Sequence, residues 1–268
     1  MARDIIDDRL IGALHLRALT RNGLDHDPAA EHTAVQAGTI DALLAGQYAG
    51  DATIGEVLRL GDLGVGTVQE LDGELMILDG EAWLAPANGT LRRVHDSEKT
   101  PFAVVTAFSI DRQEEAEALD YTGIQGRLDD LAGSSPVIAV RVRGEFTDVQ
   151  LRSVHKQSPP YPPLVEVVKH QTEWSVPAAA GTLLGFRFPD ATSGVEVPGY
   201  HLHFLSDDRT VGGHVLSVSL KRGTLAVKEC DDLHVELPPG VTLGTPGATD
   251  RDTIAAVESA PATGAGDP

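Results

Sequence analysis

Cysteine is almost missing from this sequence: its 268 residues include one, Cys230. A lone thiol cannot form a disulfide within the chain, and it excludes a cysteine-based zinc knuckle or an iron–sulfur cluster. Basic residues are also scarce, with 21 Lys plus Arg against 40 Asp plus Glu and a formal charge of -19 at pH 7. Nucleic acid and anionic lipid both demand clustered Lys and Arg, so the balance argues against either partner. No segment approaches the roughly 20 apolar residues of a bilayer span. The first eight residues hold three Asp, and His15, Arg17 and Arg21 interrupt the apolar positions that follow. A secretory signal has a basic start and about 7–15 unbroken apolar residues instead. The expectation is a cytoplasmic protein away from membranes, with this stretch as a variable extension or a short surface helix.

The chain does have a core: 41% of it is hydrophobic, enough for one large domain or two smaller ones. Residues 22–35 are turn-rich and read as a linker, with a compact body starting near Gln36. A helix is predicted over 39–50, with Thr39 as N-cap and Gly50 as stop. Asp72-Gly73 and Asp79-Gly80 bracket the apolar run GELMIL, a hairpin signal. Residues 101–110 read as a buried strand, the charged stretch 111–133 as a helix, and the alternating stretch 137–154 as one or two strands. The run SPPYPP (158–163) fits neither helix nor central strand and marks a crossing between two halves. A helix-like piece, 164–174, and five short strands follow: GTLLGFRF, GYHLHFL, HVLSVSL, GTLAVKEC and LHVEL. A short helix is possible at 250–259. Two strand groups with helices between them, and no regular βαβ alternation, point to the α+β class: two mixed or antiparallel β-sheet subdomains with flanking helices. The division expected is an extension over 1–35, an N-terminal α+β subdomain over 36–157, a β-rich metal-binding subdomain over 158–237, and a tail over 238–268 folding back towards the active site.

The chemistry concentrates in GYHLHFLSDDRTVGGHVLSVSL (199–220). On a strand, His201 and His203 share a face. If His203 pairs opposite His214 across a hairpin, all three imidazoles meet on that face, within about 5 Å between Cβ atoms. That is a three-histidine platform with open coordination positions, as in catalytic zinc sites, although imidazole suits copper, iron and nickel too. A histidine on a strand is more often a satisfied core or surface residue, so spacing alone leaves both readings open. A cupin-type barrel shares the H-x-H pattern. It expects a Glu where Ser206, Asp207 and Asp208 stand, and a third His much later than His214. Arg152, beside the Pro-rich turn, could grip a carboxylate through two parallel hydrogen bonds, or simply be a solvated strand residue. Glu70, Asp72 and Glu74 are turn acids of the kind usually just solvated.

Taken together, TIDALLAGQYAGDATIGEVLRLGDLGVGTVQELDGELMILDGEAW, TPFAVVTAF, LRSVHKQSPPYPPLVEVVKHQ and GTLLGFRFPDATSGVEVPGYHLHFLSDDRTVGGHV resemble the α-acetolactate decarboxylases, in that family's order and over roughly residues 36–237. The resemblance implies zinc held by His201, His203 and His214, a catalytic Arg152, and Glu74 as the glutamate of the L-D-G-E turn. It implies that Thr67 and Leu71 line the pocket and that a tail glutamate returns to the metal. Glu258 is the match for that residue, and Glu236, which reads as a strand residue, is the lesser candidate. The implied reaction turns 2-acetolactate into acetoin and carbon dioxide. Zinc would act as a Lewis acid for the enediolate. Arg152 would hold the carboxylate or stabilise the enediolate, and Glu74 or Glu258, with a raised pKa, would protonate one face. No organic cofactor is implied, because the β-keto acid has its own electron sink. A homodimer is expected from the resemblance, helped by a free strand edge in the second half. The alternatives are a cupin-like metal-dependent oxidoreductase or isomerase acting on a small hydroxy or keto acid, and a non-catalytic binding module. The substrate expected is an anion, which a charge of -19 repels, so attraction would be local, from zinc, Arg152 and Lys156. His15, His26 and His32 are expected to be loose and solvated, and His155 has no role assigned.

Overall fold

The computed structural model describes residues 5–11, 13–20 and 32–237, together with Leu243, Ile254, Val257 and Glu258. The chain begins with β1 (Ile5–Ile11), β2 (Leu14–Thr20), β3 (Thr33–Ala37) and α1 (Ile40–Leu44). Next come β4 (Ala52–Thr53), α2 (Ile54–Leu58), β5 (Leu63–Thr67), β6 (Glu74–Leu78), β7 (Glu81–Ala85), β8 (Arg92–Arg93), β9 (Lys99–Thr100) and β10 (Ala103–Thr106). The rest comprises β11 (Arg112–Leu119), α3 (Tyr121–Ala132), β12 (Val137–Ser153), α4 (Leu164–Val167), β13 (Thr172–Phe188), β14 (Gly199–Ser206), β15 (Gly212–Cys230) and β16 (Asp232–Leu237).

Among the described residues one sheet runs β1-β2-β16-β3-β10-β5-β6-β7-β8, with β16 parallel to both its neighbours. The other runs β11-β15-β12-β13-β14, and β14 also pairs with β15, so four of its strands close on themselves. The sheets stack. Leu63, Met76 and Val104 of the first sheet meet Val137, Ala139, Leu184 and Phe186 of the second in one apolar layer. The far face of the second sheet (Ile138, Val140, Val142) is covered by Ile124 and Leu128 of α3. The far face of the first (Val35, Ile77, Val105) is covered by Ile54 and Val57 of α2. The start of β12 therefore buries both faces, so its odd and even residues are equally apolar. This mostly β architecture with few helices agrees with the expected α+β class of two antiparallel or mixed sheets. No helix among the described residues is long and apolar enough to cross a membrane.

Several local signals hold. Asp79 and Gly80 both have positive φ (53° and 77°) and link β6 to β7 as a two-residue hairpin turn. Thr39 caps α1 by accepting from the Ala42 amide. Other expectations are corrected. Among its described residues the N-terminal stretch is not a surface helix but the β1–β2 hairpin, whose second strand pairs with β16. The helix expected over 111–133 is the strand β11 followed by α3, because the charged residues of 112–119 stand on an edge strand. The helix expected over 39–50 stops at Leu44. The piece over 164–174 is helical to His170, and Thr172 starts β13. The five short strands are four: HVLSVSL and GTLAVKEC are parts of the single β15, and GTLLGFRF is the end of β13. Gly144, on β12, stands opposite both Gly181 and Gly223, which explains this last error. A Cβ on Gly144 would sit 2.3 Å from the Arg222 carbonyl oxygen. These glycines mark a close approach of three strands rather than turns. The helix proposed over 250–259 lies outside the described residues except for Ile254, Val257 and Glu258, whose backbones are helical.

Candidate metal centre

Strand register brings the imidazoles together. His203 pairs with His214 across the β14–β15 hairpin, and His214 pairs with Arg152 on β12. Arg152, His214 and His203 therefore form one cross-strand row on a shared face, with His201 two residues from His203. All three imidazoles are buried, and one ring nitrogen from each falls within 4.8 Å of the others. The ring centroids are 5.0–5.3 Å apart. His203 donates from Nδ1 to the Leu75 carbonyl at 2.9 Å, which leaves its Nε2 as the free lone pair. His214 Nε2 donates to the Glu258 carbonyl at 3.3 Å, which leaves Nδ1 free. Neither of these free nitrogens has a hydrogen-bond partner among the described residues. Buried nitrogens that converge without partners are what a divalent cation would satisfy, so the residues present fit a metal.

Acidic groups enclose this platform from a turn and from the tail. Glu74, at the start of β6, puts Oε2 3.5 Å from His203 Nε2 and Oε1 3.5 Å from Arg152. The turn that presents it is strained: Glu70 and Leu71 have φ of 65° and 55°, and Gly73 has φ of 99°. Thr67, which pairs with Glu74 across β5 and β6, donates its hydroxyl to the Gly73 carbonyl at 2.8 Å. Glu258 lies with Oε2 3.5 Å from His214 Nε2, while Ile254 and Val257 anchor the tail in an apolar cluster with Tyr48, Phe102 and Leu164. Thr67, Leu71, Glu74, Arg152, His201, His214 and Glu258 line one cavity, whose remaining wall is apolar.

Burial governs the electrostatics. It pushes the Glu74 carboxyl above its usual range, and Arg152 and His201 only partly offset this. It pushes His203 and His214 well below the ordinary imidazole value, helped by the charges of His201 and Arg152. His201 goes the other way: burial opposes its charged form, but Glu258, Glu196 and Glu74 outweigh it and raise its pKa.

Residues 35–242 match the family described as Alpha-acetolactate decarboxylase. Proteins of that description from Methylococcus capsulatus and Brevibacillus brevis are 42% identical over 210 residues and 36% identical over 214 residues. These alignments cover 78% and 79% of this chain, and 81% and 75% of the relatives. The chain belongs to the α-acetolactate decarboxylase family. The crystal structure of the α-acetolactate decarboxylase from Bacillus subtilis strain 168 superposes with a TM-score of 0.80 at 31% identity, covering 85% of this chain and 99% of that one. A Staphylococcus aureus protein described as similar to α-acetolactate decarboxylase gives 0.78 at 27% identity, covering 84% and 98%. The chain is thus an enzyme of the acetolactate decarboxylase family, and the cupin-like and non-catalytic alternatives lose their footing.

Every residue that the resemblance places at the decarboxylase site is brought together here, including Glu258. Glu236 sits on β16 instead, paired opposite Ala37. Lys156 is not among the cavity residues; it binds Glu70 at 2.7 Å and is half exposed. His155 meets the Thr172 hydroxyl at 3.1 Å, on the outside. His15 is not loose: it bonds Asp8 and Asp232 at 2.6 and 2.8 Å. His32 meets the Glu229 carbonyl at 3.0 Å, and His26 lies outside the described residues. Sequence reasoning missed Glu196, a fully buried acid with Oε1 3.8 Å from His201 Nδ1. The available signal was a lone charge between Val195 and Val197, five residues before His201.

Proposed function

We propose that this enzyme converts 2-acetolactate into acetoin and carbon dioxide at a zinc ion held by His201, His203 and His214. The observation that carries this reading is the convergence of three buried imidazoles beside a cavity that His201, His214, Arg152 and Glu74 line. Zinc held there by His201, His203 and His214 would supply Lewis acidity to the substrate's oxygens, and three neutral imidazoles would leave its full charge in play. The bond to the carboxylate carbon breaks, carbon dioxide leaves, and the electron pair delocalises into the neighbouring ketone. Arg152, buried at the end of its strand, binds the carboxylate before it departs and faces the negative charge that develops. Glu74, whose raised pKa favours the protonated form, delivers a proton to the carbon that lost its carboxylate, from one side only. Glu258, Val257 and Leu164 line the same cavity, where they would shield the reacting carbon from water.

Metal analysis alongside an acetoin assay tests this. Chelation should abolish acetoin and carbon dioxide release, and zinc should restore both; full activity in metal-free protein would refute the reading. The family resemblance also supports a homodimer in the cytoplasm, which sizing in solution checks for the assembly. The free edge in the second sheet does not favour pairing: it is β11, which carries Glu114, Glu115 and Glu117.

A further inference from the structure

We infer that Glu196 is the positioning residue for His201, the carboxylate that orients this ring and strengthens its grip on the metal. The inference rests on the reading of His201 as a metal ligand. Histidines that bind metals almost always donate their second ring N–H to a fixed acceptor, which sets the tautomer and raises ligand basicity. Two rings of the triad have such an acceptor, the Leu75 carbonyl for His203 and the Glu258 carbonyl for His214. For His201 the matching group is Glu196. Its Oε1 lies 3.8 Å from His201 Nδ1, and neither Nδ1 nor Glu196 Oε2 has a hydrogen-bond partner among the described residues. With Nδ1 facing Glu196, the ring offers Nε2 to the platform.

Glu196 is also held rigidly enough to act this way. Its amide bonds the Thr192 carbonyl at 3.0 Å, and its Oε1 accepts from the Val197 amide at 3.0 Å. The adjoining Val195 carbonyl accepts from the Ile40 amide and from Gln36 Nε2, at 3.0 and 2.7 Å. A fully buried carboxylate with one oxygen unsatisfied is costly, and packing alone would favour an apolar residue here. A cation bonded to the neighbouring imidazole gives that charge a counterpart. His201 thus differs from the other two ligands, being backed by a carboxylate rather than by a neutral carbonyl.

The test compares wild type with Glu196→Gln and Glu196→Asp. Zinc affinity is measured by competition with a chromophoric chelator, the visible spectrum is recorded after cobalt(II) substitution, and the melting temperature is taken without metal. Glu196→Gln keeps the volume and removes the charge. It should bind zinc about 10- to 100-fold more weakly and shift the cobalt bands, while the metal-free protein melts no lower than wild type. Glu196→Asp keeps the charge at a shorter reach and should fall between the two in affinity. Unchanged zinc affinity and cobalt spectrum in Glu196→Gln would overturn the inference. So would a lowered metal-free melting temperature accounting for the weaker binding, since that marks a packing role. Failure of wild type to bind zinc would instead count against the functional reading on which this one rests.

Discussion

His15 of the first sheet and His203 and His214 of the second sit in opposite surroundings. In the first sheet His15 is held between Asp8 and Asp232, and the Asp8 hydrogen bond is the main cause raising its pKa. In the second sheet His203 and His214 are enclosed, and each has only a backbone carbonyl as its hydrogen-bond acceptor. Burial therefore drives them well below the ordinary value. A partly exposed ring held between two carboxylates, as His15 is, favours its protonated form and ties strands together. A ring stripped of water and given a neutral acceptor stays uncharged, with one lone pair aimed inward, which is the form a metal requires. Histidine count thus says little about metal sites; burial and an unpartnered ring nitrogen close to those of other rings say a great deal.

The strongest way to break this contrast is His203→Ala. It should empty the site of zinc and lower kcat/KM by about a thousandfold or more, corresponding to several kcal/mol of lost charge stabilisation, read by metal analysis and acetoin formation. Arg152→Lys separates the ligands from their neighbour in the row: zinc should be retained while kcat falls about 100-fold, because a point charge does not replace the planar fork. Gly73→Ala tests the strained turn that presents Glu74. A Cβ there would lie 2.4 Å from the Ala85 carbonyl oxygen at a φ of 99°, so denaturant unfolding should report a loss of about 1–3 kcal/mol. Salt probes the field outside the cavity. Because the chain carries -19 and the proposed substrate is an anion, raising ionic strength should leave kcat/KM unchanged or raised by less than about twofold. A steep decline in that titration would mean long-range attraction instead. The smallest effect belongs to His15→Gln. A histidine whose folded pKa is raised stabilises the protein below its unfolded pKa and ceases to as pH climbs through the folded value. The variant should melt about 1–2 °C below wild type near pH 6 and match it near pH 9.

Much of the candidate metal centre was legible because it is written in short-range code. Two histidines at i and i+2, followed by a hairpin-length gap and a third, fix a shared face, and the pairing of His203 with His214 is the register that this spacing predicts. Thr67, Leu71 and Glu74 lie on neighbouring strands and their turn, so family likeness carries over to them position by position. Glu196 was illegible because its role comes from a fold-back that sets it beside His201 and from burial, neither of which a single glutamate advertises. The fold was readable where faces differ, as in the Asp79-Gly80 hairpin. It was misread where a strand has solvent on its edge, since β11 alternates weakly and its charges imitate a helix surface. The β1–β2 hairpin escaped for a related reason: Asp7, Asp8 and Arg9 lie on the outermost strand of the first sheet, where the pattern carries little hydrophobic information.

The doubly paired β14 has a further consequence. Because this strand is bonded to β13 on one side and to β15 on the other, His203 belongs to a hoop of strands with no open end. Each ligand is tethered by backbone that cannot fray without opening that hoop. The conformational freedom of these imidazoles is lost when the chain folds, whether or not an ion is present. In small zinc domains the ion is the last member of the core and its removal dissolves the structure. An ion at this site would instead be a tenant: withdrawn, or exchanged for another divalent ion of similar preference, it should leave the walls of the site standing.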